Sequence, residues 1–150
     1  MRPRTPRRLA LAAALMSPLA AMGADAATTA GPTRIRVTGE IVDSWCQVSK
    51  IMGTGIGTAH HQCAIWCAVG GIPVGIQGED GKLYILLKVE ASSDVVANPT
   101  IVDIQTDKVV AVADWYERDG VNYLVVTKIV SDEGIVDKNH QDLGILPFGE

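Results

Sequence analysis

Apolar and polar residues alternate through Thr33 to Val42, with Ile35, Val37 and Ile41 on one side and Gly39 interrupting the rhythm. A period of two predicts a half-buried strand, and the glycine inside it predicts a bulge or bend. Val109 to Tyr116 alternates in the same way, Arg118-Asp119-Gly120 turns the chain, and Val121 to Val130 returns as a long apolar strand. Ile72 to Gln77 and Leu83 to Val89 predict two more strands, joined by the hairpin signal Gly78-Glu79-Asp80-Gly81. Thr58 to Val69 breaks the pattern and predicts a helix, with Thr58 as its N-cap. Gly70-Gly71 and Pro73 stop it. Ala91 to Pro99 predicts a short helical turn ahead of Ile101 to Ile104. Asp132 to Glu150 predicts loop, with Pro147-Phe148 tucked against the scaffold.

Strands at hairpin spacing with one helix inserted after the first predict a mainly β fold, a small closed or nearly closed barrel. The closing hairpin, Val109 to Tyr116 and Tyr123 to Val130 about an Arg-Asp-Gly turn, resembles the last hairpin of an OB-fold. The expectation is therefore an OB-fold-like β-barrel whose inserted helix carries the chemistry.

The first residues follow another pattern. Arg2, Arg4, Arg7 and Arg8 precede an apolar run from Leu9 to about Ala21, and Ala24-Asp25-Ala26 supplies small residues for cleavage. A basic segment, a short apolar run and an A-x-A site describe a secretory signal. The run falls short of the roughly 20 apolar residues that span a bilayer. Residues 1–26 are thus expected to be a signal peptide, and residues 27–150 a single exported domain, periplasmic or secreted, with no transmembrane anchor. Arg7-Arg8 raises twin-arginine export, but Pro6 and Ala10 depart from that pattern, so general secretion is favoured.

Without this leader the chain keeps nine of its 13 Lys and Arg and 16 of its 17 Asp and Glu, a formal charge near −7. Phosphate backbones are held by basic side chains, so nucleic acid is excluded as a partner. Another exported protein is the partner this composition leaves open. The alternating Gly53, Gly55 and Gly57 lack the Lys and the βαβ setting of a phosphate loop and are read as slack in the chain.

The chemistry gathers between Asp43 and Pro73. All three cysteines lie there, as do two of the three histidines. An odd count cannot pair completely in an oxidising compartment, which points to a metal holding the sulfurs. On the expected helix His60, Cys63 and Cys67 stand at i, i+3 and i+7, one shared face. Cys46 closes the set from the end of the first strand. Cys46, His60, Cys63 and Cys67 are the expected ligands of one Cu(I) or Zn(II) ion, since three sulfurs and an imidazole suit both. His61 is the second choice, Met52 a spare soft donor, and Asp43 either a partner that orients His60 or a plain turn residue. Trp45 and Trp66 are expected to pack in the core.

The Cys63-x-x-x-Cys67 spacing resembles that of the thioredoxin-like copper chaperones of cytochrome oxidase and of the oxidase's binuclear copper site. A wider likeness runs through Asp43, Cys46, His60, Cys63, Ala64, Cys67, Gly71, Pro73 and Gly75. This D-x-x-C…H-x-x-C-A-x-x-C-x-x-x-G-x-P-x-G order resembles a family of exported bacterial proteins of uncharacterised activity, and implies an OB-like barrel carrying a Cys/His site.

Ser44 and Ser49 lack a G-x-S-x-G setting, and His140 lacks a paired nucleophile, so a binding role is expected rather than catalysis. The expected function is an exported metal-binding protein, in metal handling or as a small accessory or electron-transfer subunit. A thiol–disulfide redox protein and a disulfide-stapled binding module, with Cys46 bridged to Cys63 or Cys67, are the alternatives.

Overall fold

A computed structural model describes residues 31–90 and 99–143. The signal-peptide expectation, most of the predicted turn at Ala91 to Pro99, and the Pro147-Phe148 tail lie outside them. Five strands form a closed barrel, β1 (Thr33–Asp43), β2 (Val74–Gly78), β3 (Leu83–Val89), β4 (Lys108–Arg118) and β5 (Val121–Asp132). Their order around the barrel is β1-β2-β3-β5-β4, antiparallel throughout except for the parallel β3/β5 contact. This is the OB-fold-like, mainly β architecture that the alternation implied.

Closure depends on β1. Its residues Thr33 to Glu40 pair with β4, while Gly39 to Asp43 pair with β2, so the strand bends from one neighbour to the other at Gly39-Glu40. A Cβ at Gly39 would stand 2.3 Å from the Gln77 carbonyl oxygen. Only glycine lets the two backbones meet this closely.

Inward positions fill the barrel with Val37, Ile41, Val74, Ile76, Leu86, Val109, Leu124 and Val126, all buried. Ala111 and Ala113 interleave with the larger side chains, and Ile101 closes over them from α3 (Pro99–Asp103). Among the described residues, the interior is packed by these side chains and offers no chamber for a small molecule. Among the described residues, no helix is long and apolar enough to cross a membrane.

The inserted helix turns out to be two. Between β1 and β2 the chain forms α1 (Ser44–Ser49) and α2 (His61–Val69), and near the end it adds α4 (His140–Leu143). The predicted helix from Thr58 begins later, at His61, and Thr58 does not cap it. Its hydroxyl instead meets Asp137, Asn139 and His140 of the segment after β5. α2 lies on the barrel through Ala64 and Ala68, both fully buried. Their small side chains let the helix approach closely, and Ala68 joins the barrel core.

Candidate metal centre

The site begins where β1 ends. Asp43 is completely buried, and a buried carboxylate needs compensating partners. It has one for each oxygen. Oδ1 accepts the Cys46 backbone N–H at 2.8 Å, capping α1, and Oδ2 meets His60 Nε2 at 2.7 Å. Asp43 is therefore both the turn residue and the partner of His60, the two roles its position in the sequence left open. The carboxylate fixes the imidazole by its Nε2 edge, which leaves Nδ1 as the ring's other donor atom.

Cys46 lies in the third position of α1 and is 2 % exposed. α1 ends at Lys50, in the left-handed region at φ 56°, with its N–H returned to the Cys46 carbonyl. The glycine loop then leads back toward the barrel. It is pinned rather than slack. Gly57 N–H donates to Glu40 Oε1 at 2.6 Å, Thr58 N–H to the Asp137 carbonyl, and Ala59 N–H to Asn139 Oδ1. Gly53, Gly55 and Gly57 all have positive φ, and a Cβ at Gly57 would reach 2.6 Å from the Asp137 oxygen. These contacts fix the point from which α2 departs, and with it the direction of Cys63 and Cys67.

The three sulfurs of Cys46, Cys63 and Cys67 lie within 4.8 Å of one another. Cys46 Sγ and Cys63 Sγ are 4.0 Å apart. With metal–sulfur bonds of about 2.3 Å, sulfurs at two corners of a tetrahedron or a triangle stand roughly 3.8–4.0 Å apart. The Cys46–Cys63 separation is that of two sulfurs on a shared ion. Cys46 is buried, while Cys63 and Cys67 are half-buried, so the cluster opens outward through α2. His60 belongs to a second trio with Asp43 and Cys46, again within 4.8 Å, and the two trios share Cys46.

The remaining sequence candidates are placed elsewhere. His61 turns onto the barrel, where its Nδ1 donates to the Gln105 carbonyl at 2.8 Å and meets Thr106 Oγ1. Met52 is exposed on the loop. Trp45 and Trp66, expected in the core, are 56 % and 72 % exposed. The physical reason is the thinness of the insertion, since α1 and α2 bury only Cys46, Gln47, Ala64 and Ala68 and present their other faces to solvent.

The surroundings of two of the thiols favour their protonated form. Burial pushes the Cys46 thiol well up, and the Asp43 carboxylate and neighbouring sulfurs add to it. Cys67 is pushed up to about 11 by burial, then by Asp43 and Cys63. A reactive thiol needs the opposite setting, with a helix N-terminus or a cation lowering its pKa. A metal cation would supply the positive charge that this donor set lacks.

The short helix α1 escaped the sequence reading, yet its signal was present. Asp43 ahead of Ser-Trp-Cys-Gln-Val-Ser is an N-cap residue before a helix-compatible run. No family model, curated protein or solved structure matches the chain.

Proposed function

We propose that this protein binds one soft metal ion, Cu(I), through Cys46, Cys63 and Cys67, and works as an exported metal-handling protein. The observation that carries the reading is the convergence of three sulfurs from two helices. Thiolates select soft ions, and three of them suffice for Cu(I). Half-buried Cys63 and Cys67 leave the ion accessible to a recipient, as handling requires and a closed structural site does not. The raised Cys46 and Cys67 thiols argue against the alternative of a dithiol that turns over rapidly as a catalyst.

Zinc is the second reading, favoured by the Asp43–His60 contact, because a carboxylate behind an imidazole is the usual setting of a metal-bound histidine. His60 then supplies the fourth donor.

Anaerobic titration of the reduced protein against a chromophoric Cu(I) competitor tests the proposal. One equivalent should bind tightly, and the C63S/C67S variant should bind none. His60→Ala should leave Cu(I) binding within a few-fold of wild type, whereas the zinc reading predicts a loss of about 10–100-fold in Zn(II) affinity. A reduced wild-type protein that takes up neither ion overturns both readings.

A further inference from the structure

The two motifs that build the site run side by side in matched register. Asp43 and Cys46 are three residues apart, and so are His60 and Cys63. Each cross-contact spans the same 17 residues, Asp43 Oδ2 to His60 Nε2 at 2.7 Å and Cys46 Sγ to Cys63 Sγ at 4.0 Å. The buried Asp43–His60 pair thus works as a clamp one step ahead of the sulfur pair. Cys67 lies a turn further along α2, beyond this register.

From this geometry we infer that Cys46 and Cys63 are the site of a reversible oxidative cross-link, closed by a low-molecular-weight disulfide, and that Cys67 is left as a free thiol. The inference builds on the metal-site reading, because the cross-link removes two of the three sulfur donors and so closes the site to metal.

Geometry selects the pair. Cys63 and Cys67 occupy successive turns of one helix, where Cβ atoms stand about 5–6 Å apart. A disulfide needs Cβ atoms roughly 3.5–4.5 Å apart, so joining these two requires unwinding α2. Cys46 and Cys63 belong to separate helices, and their sulfurs are already in contact.

Exposure sets the order of events. Half-buried Cys63 attacks the small disulfide R–S–S–R, giving a Cys63–S–S–R mixed disulfide and one R–SH. Buried Cys46 then attacks the Cys63 sulfur, forming the Cys46–Cys63 bond and expelling the second R–SH. Two protein thiols are oxidised, one small disulfide is reduced to two thiols, and both protons leave on the R–SH products. A bound metal holds the sulfurs and blocks the first step.

The test treats the reduced, metal-free protein with oxidised glutathione and maps disulfides by mass spectrometry of non-reduced peptides. The expected product is a single intramolecular Cys46–Cys63 link with Cys67 open to alkylation. Cu(I) uptake should fall from one equivalent to none and return after reduction, and the Cu(I)-loaded protein should resist the oxidant. Cys67→Ser should still form the link, which keeps the test independent of the third ligand. A Cys46–Cys67 or Cys63–Cys67 link, or a protein that stops at glutathione adducts, overturns the inference while leaving the metal reading intact. A correct link in a protein that never takes up metal overturns the metal reading alone.

Discussion

Removing the Asp43 carboxylate tests how the site is held together. Asp43 is fully buried, caps α1 through the Cys46 N–H, and meets His60 at 2.7 Å. Losing an N-cap side chain costs about 1 kcal/mol. Leaving a buried partner without its hydrogen bond costs a further 1–3 kcal/mol or so, and His60 is only 3 % exposed. Asp43→Ala should therefore lose about 3 kcal/mol, a large share of the roughly 5–15 kcal/mol that stabilises a domain. Asp43→Asn, which keeps an acceptor for the cap, should lose less. Urea unfolding of the reduced, metal-free protein measures this, provided the slope with denaturant is unchanged. Because much of the loss comes from stranding His60, the D43A/H60A double variant should cost less than the two single variants together, by more than about 1 kcal/mol. A loss below about 1 kcal/mol for Asp43→Ala, or strict additivity in the cycle, would refute the clamp.

Two further outcomes follow from the barrel and its loop. Glu40 is pushed up to about 7 from 4.5, chiefly by burial, with Asp137 and Asp107 adding and the Gly57 N–H opposing. The folded state thus holds this proton more tightly than the unfolded chain, so its contribution is full below pH 4.5 and is lost as pH rises through about 7. Glu40→Gln, which still accepts from Gly57, should flatten the fall in stability between those pH values and gain most at pH 8. An unchanged pH profile would contradict this. Gly39→Ala should cost about 1–3 kcal/mol through overpacking, because the new Cβ meets the Gln77 carbonyl at 2.3 Å. Gly53→Ala has open space around it and should lose only about 1–2 kcal/mol to its positive φ, so comparing their unfolding midpoints separates contact from backbone strain.

The barrel was readable because its signal is local and repeated. Alternation in Thr33 to Val42 and Val109 to Tyr116 needs no partner to be recognised, and Gly39 marked the bend. The three cysteines were readable as a set because helical spacing aligns Cys63 with Cys67, and Cys46 was the one thiol left to join them. Three things were not legible, each because its cause is distant or brief. A six-residue α1 has under two turns in which periodicity can emerge. His60 was placed on the shared helical face, yet it precedes the helix, and Asp43, 17 residues away, draws its ring. The glycine loop read as slack because the groups that pin it, Asp137 and Asn139, come some eighty residues later. Trp45 and Trp66 were misplaced in the core because hydrophobic residues flanking buried cysteines look like interior in a linear sequence, and only the packing of α1 and α2 reveals their outer faces.

The proposed coordination of one ion by three sulfurs has a direct spectroscopic signature. X-ray absorption at the copper edge of the anaerobically Cu(I)-loaded protein reads the ligands directly. Three sulfur neighbours are expected, from Cys46, Cys63 and Cys67, reduced to two in Cys67→Ser. A wild-type spectrum dominated by nitrogen or oxygen, or one unchanged by Cys67→Ser, would contradict it.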